Sequence, residues 1–182
     1  MTTTPPSIAQ AAALAAFRKG DLHERFLPAA LVFALSVASL CFGPLELKTA
    51  LFGLVAFALA VATAYLPAGT RRLALPAIIA GTCPLVCGLA AAHGGHICVG
   101  GVCSSWCVPA CLGSAALAGG LLGRLWVRRS ASTGAVAVTG LLGWSVGALG
   151  CSCASHSGIL AMSLGLIGGA VLGALVGRTR KA

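Results

Sequence analysis

Two long stretches of this chain, residues 73–123 and 130–177, contain no Asp, Glu, Lys or Arg, and two shorter ones, 26–45 and 49–70, are equally free of charge. Charged residues normally make up about a quarter of a water-soluble domain; here they are 8% of the residues, and 58% are hydrophobic. So much uninterrupted apolar chain has to be solvated by lipid, where a helix satisfies its own backbone polar groups. Each long stretch holds two spans of about 20 residues and a tight turn, and each short one holds a single span. The sequence therefore predicts an all-α polytopic membrane protein with six transmembrane helices in three hairpins, at 26–43, 49–68, 73–92, 102–123, 134–152 and 158–177. Residues 1–25 precede this 26–177 domain and a basic tail, 178–182, follows it.

The positions of the charges predict orientation. Arg18, Lys19 and Arg25 precede the first span, Arg71 and Arg72 join the second to the third, Arg124, Arg128 and Arg129 join the fourth to the fifth, and Arg178, Arg180 and Lys181 end the chain. Only Lys48 falls on the other side. By the positive-inside rule both termini are expected in the cytoplasm of a bacterium, with the protein in its inner membrane. The net charge of +9 then reports topology rather than direct nucleic-acid binding. Tyr65 and Trp126 fit an aromatic belt at the basic side. The first apolar run is longer than a signal-peptide core and no A-x-A site follows it, so it is read as a retained span.

Sulfur and imidazole gather on the opposite side. Cys41, Cys83, Cys87, Cys98, Cys103, Cys107, Cys111, Cys151 and Cys153 lie in the outer halves of spans or in the loops joining them, with His93, His96 and His156. His23 stands apart, in the cytoplasmic linker. Cys83 and Cys87 are four apart, and Cys103, Cys107 and Cys111 extend that spacing over two turns, so two cysteine faces are expected to meet across the hairpin of spans three and four. Pro76, Pro84 and Pro109 are expected to bend those spans. Thiolate and imidazole suit soft metals such as Zn, Cu, Cd or Hg, whereas an oxidising exterior would instead pair the cysteines as disulfides. Cys41, Cys83 and Cys111 are equally at home as inert packing residues.

Other features weigh against several function classes. The acids are Asp21, Glu24 and Glu46, all outside the spans, which removes the intramembrane ionisable groups that ion-coupled transport uses. Hydrolase and nucleotide-binding motifs are absent, so no enzyme activity is predicted. Glycines at 165, 169, 173 and 177 form a four-residue stripe on span six for close helix packing, expected within one monomer with span five, through Gly143 and Gly147, as its partner, the alternative being a dimer interface. Ahead of the first span, a short helix is expected from Ile8 to about Lys19. Ile8, Ala12, Leu14, Ala15 and Phe17 would form its docking stripe, and residues 18–25 would link it to the membrane.

Trp106-Cys107 in span four, Arg128-Arg129 in the next inner loop, a glycine-rich span five, Cys153 before span six and the ending Gly-Ala-Leu-Val-Gly-Arg at 173–178 together resemble the NrsF-type integral-membrane anti-sigma factors of bacteria. The resemblance covers about the last 80 residues. It implies a protein that holds an extracytoplasmic-function sigma factor through its N-terminal segment and releases it on heavy-metal or oxidant stress, with Cys107 and Cys153 as sensor thiols. This chain differs in carrying more cysteines and no acidic residues in its N-terminal helix. The alternatives are a soft-metal carrier or channel relaying ions through Cys83, Cys87, Cys103, Cys107 and Cys111, and a membrane thiol-disulfide oxidoreductase.

Overall fold

A computed structural model of the protein describes the backbone of residues 8–42, 47–93, 97–99, 102–104, 107–151 and 155–179, and the side chains of 20–42, 47–91, 108–150 and 157–179. The helices are α1 (Ile8–Phe42), α2 (Leu47–Tyr65), α3 (Ala68–His93), α4 (Cys107–Arg128), α5 (Thr133–Cys151) and α6 (Ser155–Thr179), and a two-stranded ribbon, β1 (Ile97–Val99) and β2 (Val102–Ser104), stands between α3 and α4. All six helices are long and apolar enough to cross a membrane. The fold is an all-α multi-pass membrane bundle.

Local chemistry explains where the elements begin and end. Pro67 starts α3 five residues before the expected span, because its fixed φ suits a helix start and its carbonyl accepts from the Thr70 and Arg71 N–H groups (2.9 and 3.1 Å). Arg71 and Arg72 therefore belong to the first turns of α3. After α4 the chain turns at Ser130, whose φ is +47°. There the Ala131 N–H donates to the Trp126 carbonyl (3.0 Å) and the Ser130 N–H to the Val127 carbonyl (3.3 Å), the paired bonds of a Schellman ending. Ser132 caps α5 by accepting from the Ala135 N–H (3.3 Å).

Two expectations are corrected. Residues 18–25 are not a linker: α1 runs unbroken through them, because nothing there forbids helix and Asp21 pairs with Arg25 one turn on (2.8 Å). Pro109 does not bend a helix; it is the third residue of α4, where its missing N–H costs no intrahelical bond. The Trp126 indole N–H donates to the Thr139 hydroxyl (3.1 Å) across the α4–α5 gap. Tyr65 is exposed at 85%, as a belt residue would be.

Small residues decide the packing. α4 lies along α6 in the most extensive interface of the bundle, and α3 along α5 in the next. Sequential pairing is thus not the rule: α5 and α6 share much less contact. A methyl group at Gly165, Gly169 or Gly173 would collide with the carbonyl oxygens of Leu112, Ala116 and Gly120 in turn. The stripe therefore faces α4, not α5, while Gly177 at its end sits more loosely: a methyl there would lie 3.4 Å from Val127 Cβ. In α5, Gly143 and Gly147 face α3 instead, and a methyl at Gly147 would lie 2.8 Å from Pro84 Cγ. Leucines gain little by leaving lipid for a helix interface, so close backbone approach carries the association. Accordingly Leu51, Leu54, Leu117, Leu121, Leu160, Leu164 and Leu172 point outward and Ala56, Ala60, Ala74, Ala77, Ala115, Ala118 and Ala148 inward.

Candidate thiol site at one end of the bundle

The two ends of the bundle differ chemically. At one, Asp21 joins Arg25 (2.8 Å) on its own helix to Arg71 (3.0 Å) on α3, and Arg129 donates to the Arg72 carbonyl (3.1 Å). Exposed His23 lines a cleft here with Glu24, Arg71, Arg72 and Arg129. Gly177 beside the Arg124 backbone brings Arg178 to the same end.

The other end carries the C-termini of α1, α3 and α5, the N-termini of α4 and α6, and the β ribbon. Its levels are fixed by contacts. The Ser39 hydroxyl of α1 donates to the Leu149 carbonyl of α5 (3.2 Å), and Gly150 abuts the Leu85 backbone of α3. Cys87, two residues beyond Leu85, is therefore level with Cys151, the last residue of α5. Cys41 is exposed beyond Ser39.

The predicted thiols fall into separate settings. Cys83 and Cys87, both half-buried, lie one turn apart on α3; Cys83 also opens on a cleft between α3 and α4 lined by Leu117, Ala118 and Leu121. Cys111 is fully buried with Ala115, Ala148 and Met162. Cys103 is not on the α4 ladder: it lies in β2, opposite Cys98 of β1, so the expected three-cysteine face on one helix is reduced to Cys107 and Cys111. Helix does not extend that far back because residues 102–104 pair with 97–99 instead, and Ile97, Val99 and Val102 are β-branched residues that favour strand. His93 ends α3, Cys107 begins α4 and His156 is the second residue of α6; His96 and Cys153 lie outside the described residues. Among the described residues no three His, Cys, Asp or Glu side chains converge as a metal site. The docking stripe Ile8, Ala12, Leu14, Ala15 and Phe17 lies on the first turns of α1.

The sequence reading missed the two fastenings of α1. Asp21 carried a signal, as one of only three acids in the chain. Ser39 carried none: Ser36, three residues earlier, merely bonds back to the Val32 carbonyl of its own helix (2.8 Å). No protein-family model, curated protein or solved structure matches this chain.

Proposed function

We propose that this is a thiol-responsive membrane regulator of the bacterial inner membrane: an anti-sigma factor whose thiol end faces the exterior and whose N-terminal segment holds an extracytoplasmic-function sigma factor inside. The observation that carries the reading is the continuity of α1. One helix of 35 residues joins the segment ahead of the bilayer to the thiol end, fastened at Ser39 beside Cys151 and at Asp21 beside Arg71. A helix transmits displacement along its axis better than a flexible linker, so a change in packing around the thiols has a mechanical path inward. Eleven of the twelve basic residues lie on the side assigned to the cytoplasm, and the local resemblance to NrsF-type proteins points the same way.

Inverting a 99:1 equilibrium takes about 5.5 kcal/mol of differential binding. One disulfide supplies about 2–4 kcal/mol, and repacking or a thiolate-metal site, with cadmium or another soft ion, could supply the rest. The carrier reading retains one supporting observation, Cys83 on the α3–α4 cleft with Cys87 one turn further along α3. It needs a continuous ligand path, whereas Cys111 is sealed in a packed cluster.

The test is capture of the full-length chain from membranes under reducing, metal-free conditions. A bound sigma factor that dissociates on adding Cd(II) or an oxidant is expected. Recovery of none, together with cysteine-dependent metal flux in proteoliposomes by a chain lacking residues 1–19, would replace this reading with the carrier.

A further inference from the structure

The pairing of β1 with β2 sets Cys98 opposite Cys103, flanked by Ile97 opposite Ser104 and Val99 opposite Val102. In an antiparallel ladder directly opposed Cα atoms are about 4.5 or about 5.5 Å apart, depending on the pair type. Both values fall within the range of about 4.4–6.8 Å that a disulfide spans. Cross-strand Cβ atoms start at about 4.5 Å, the upper edge of the range of about 3.5–4.5 Å found in disulfides. Cys83 and Cys87 do not meet this condition, because Cβ atoms four apart on a helix are about 5–6 Å apart. Only Gly100 and Gly101 separate the two strands, and Gly-Gly is among the dipeptides that best form a two-residue hairpin turn.

We propose that Cys98 and Cys103 form a reversible disulfide within this hairpin, making the ribbon a redox-modified site with a low-molecular-weight disulfide as its oxidant. One of the two thiolates attacks a sulfur of the small disulfide RSSR; a mixed disulfide forms and the first thiolate RS⁻ leaves and is protonated. The second cysteine thiolate then attacks the protein sulfur of the mixed disulfide, closing the Cys98–Cys103 bond and expelling the second RS⁻. The two cysteines give up two electrons and two protons, and RSSR becomes two RSH. The inference deepens the proposed function by naming a responsive pair, different from the Cys107 and Cys153 that the family resemblance implies.

The experiment uses the full chain in lipid nanodiscs, equilibrated with increasing ratios of oxidised to reduced glutathione. Remaining thiols are trapped with N-ethylmaleimide and counted by intact mass. The wild type is expected to lose two adducts without gaining a glutathione mass, reversibly on reduction. Cys98→Ser and Cys103→Ser should each abolish that loss, whereas Cys83→Ser, Cys151→Ser and Cys153→Ser should each retain it. The double change Cys98→Val with Val99→Cys keeps the thiol count but shifts one thiol off register, and it too should abolish the loss. Persistence of the loss in Cys98→Ser or Cys103→Ser, or oxidation of the register-shifted chain at wild-type ratios, would overturn the proposal. Protection of both thiols by Cd(II) with no oxidation by glutathione disulfide would overturn it in favour of a metal-ligand pair. Sigma-factor release is no part of this readout. A chain that forms the bond yet holds no sigma factor would sink the proposed function alone, and one that releases sigma factor without the bond would sink this inference alone.

Discussion

Cysteines of identical chemistry separate by surroundings. Cys111 has no exposed surface and packs with Ala115, Ala148 and Met162, so a reagent in water or lipid reaches it only after the helices part. Cys111→Ala removes a buried sulfur and its contacts and should cost about 1 kcal/mol, measured by reversible unfolding in mixed micelles; on the proposed function it should leave the response to Cd(II) or oxidant unchanged. A lost response at near-native stability would instead place this thiol among the sensors. Ser130 is a second residue whose setting decides its effect. Its φ of +47° lies where a Cβ is disfavoured and glycine is usual at this cap position. Ser130→Gly should therefore raise stability by about 0.5–1 kcal/mol, visible in the same unfolding assay; a loss of stability would mean that the hydroxyl makes a compensating bond.

At the scale of elements, the glycine stripe offers a paired test. Gly169 touches the Ala116 backbone, whereas a Cβ at its neighbour Gly168 meets nothing within 4 Å. Gly169→Leu should force α4 and α6 apart and cost about 2–3 kcal/mol. Gly168→Leu should be neutral or slightly stabilising through its better helix propensity. Equal effects at both positions would refute the α4–α6 pairing. The period of four was legible in the sequence, but its partner was not. Between lipid and a neighbouring helix an apolar face has little preference, so hydropathy locates spans without saying which faces meet. The span count was readable for the same reason that helix neighbours were not. The hairpin was legible in principle: Gly100-Gly101 between β-branched residues is a stronger turn signal than the four-residue spacing of Cys103, Cys107 and Cys111 is a helix signal. Reading those three as one helix face put Cys103 on the wrong element and hid its pairing with Cys98.

For the whole molecule the decisive property is that the membrane-crossing part of α1, from Gly20 to Phe42, is held at both of its ends. Ser39 ties its far end to α5 within two residues of Cys151, and Asp21 ties its near end to α3 through Arg71. If the proposed function holds, so that the N-terminal segment carries a sigma factor and packing changes at the thiol end reach it through this helix, the two ties have different roles. Removing the Ser39 hydroxyl cuts the hydrogen bond that couples α1 to the end of α5 beside the thiols. Ser39→Ala is expected to keep sigma-factor holding in resting cells but blunt its release on Cd(II) or oxidant. Removing the Asp21 charge frees the near end and leaves Arg25 and Arg71 without the carboxylate between them, so Asp21→Asn is expected to raise release in resting cells and shrink the further response. A sigma-dependent reporter reads both, with membrane content of the protein as the control for folding. Because both changes act on one helix, the double variant should not be additive: once the near end is free, cutting the far tie has little left to remove. Additive effects, or a Ser39→Ala chain that responds like wild type, would mean that the signal bypasses α1.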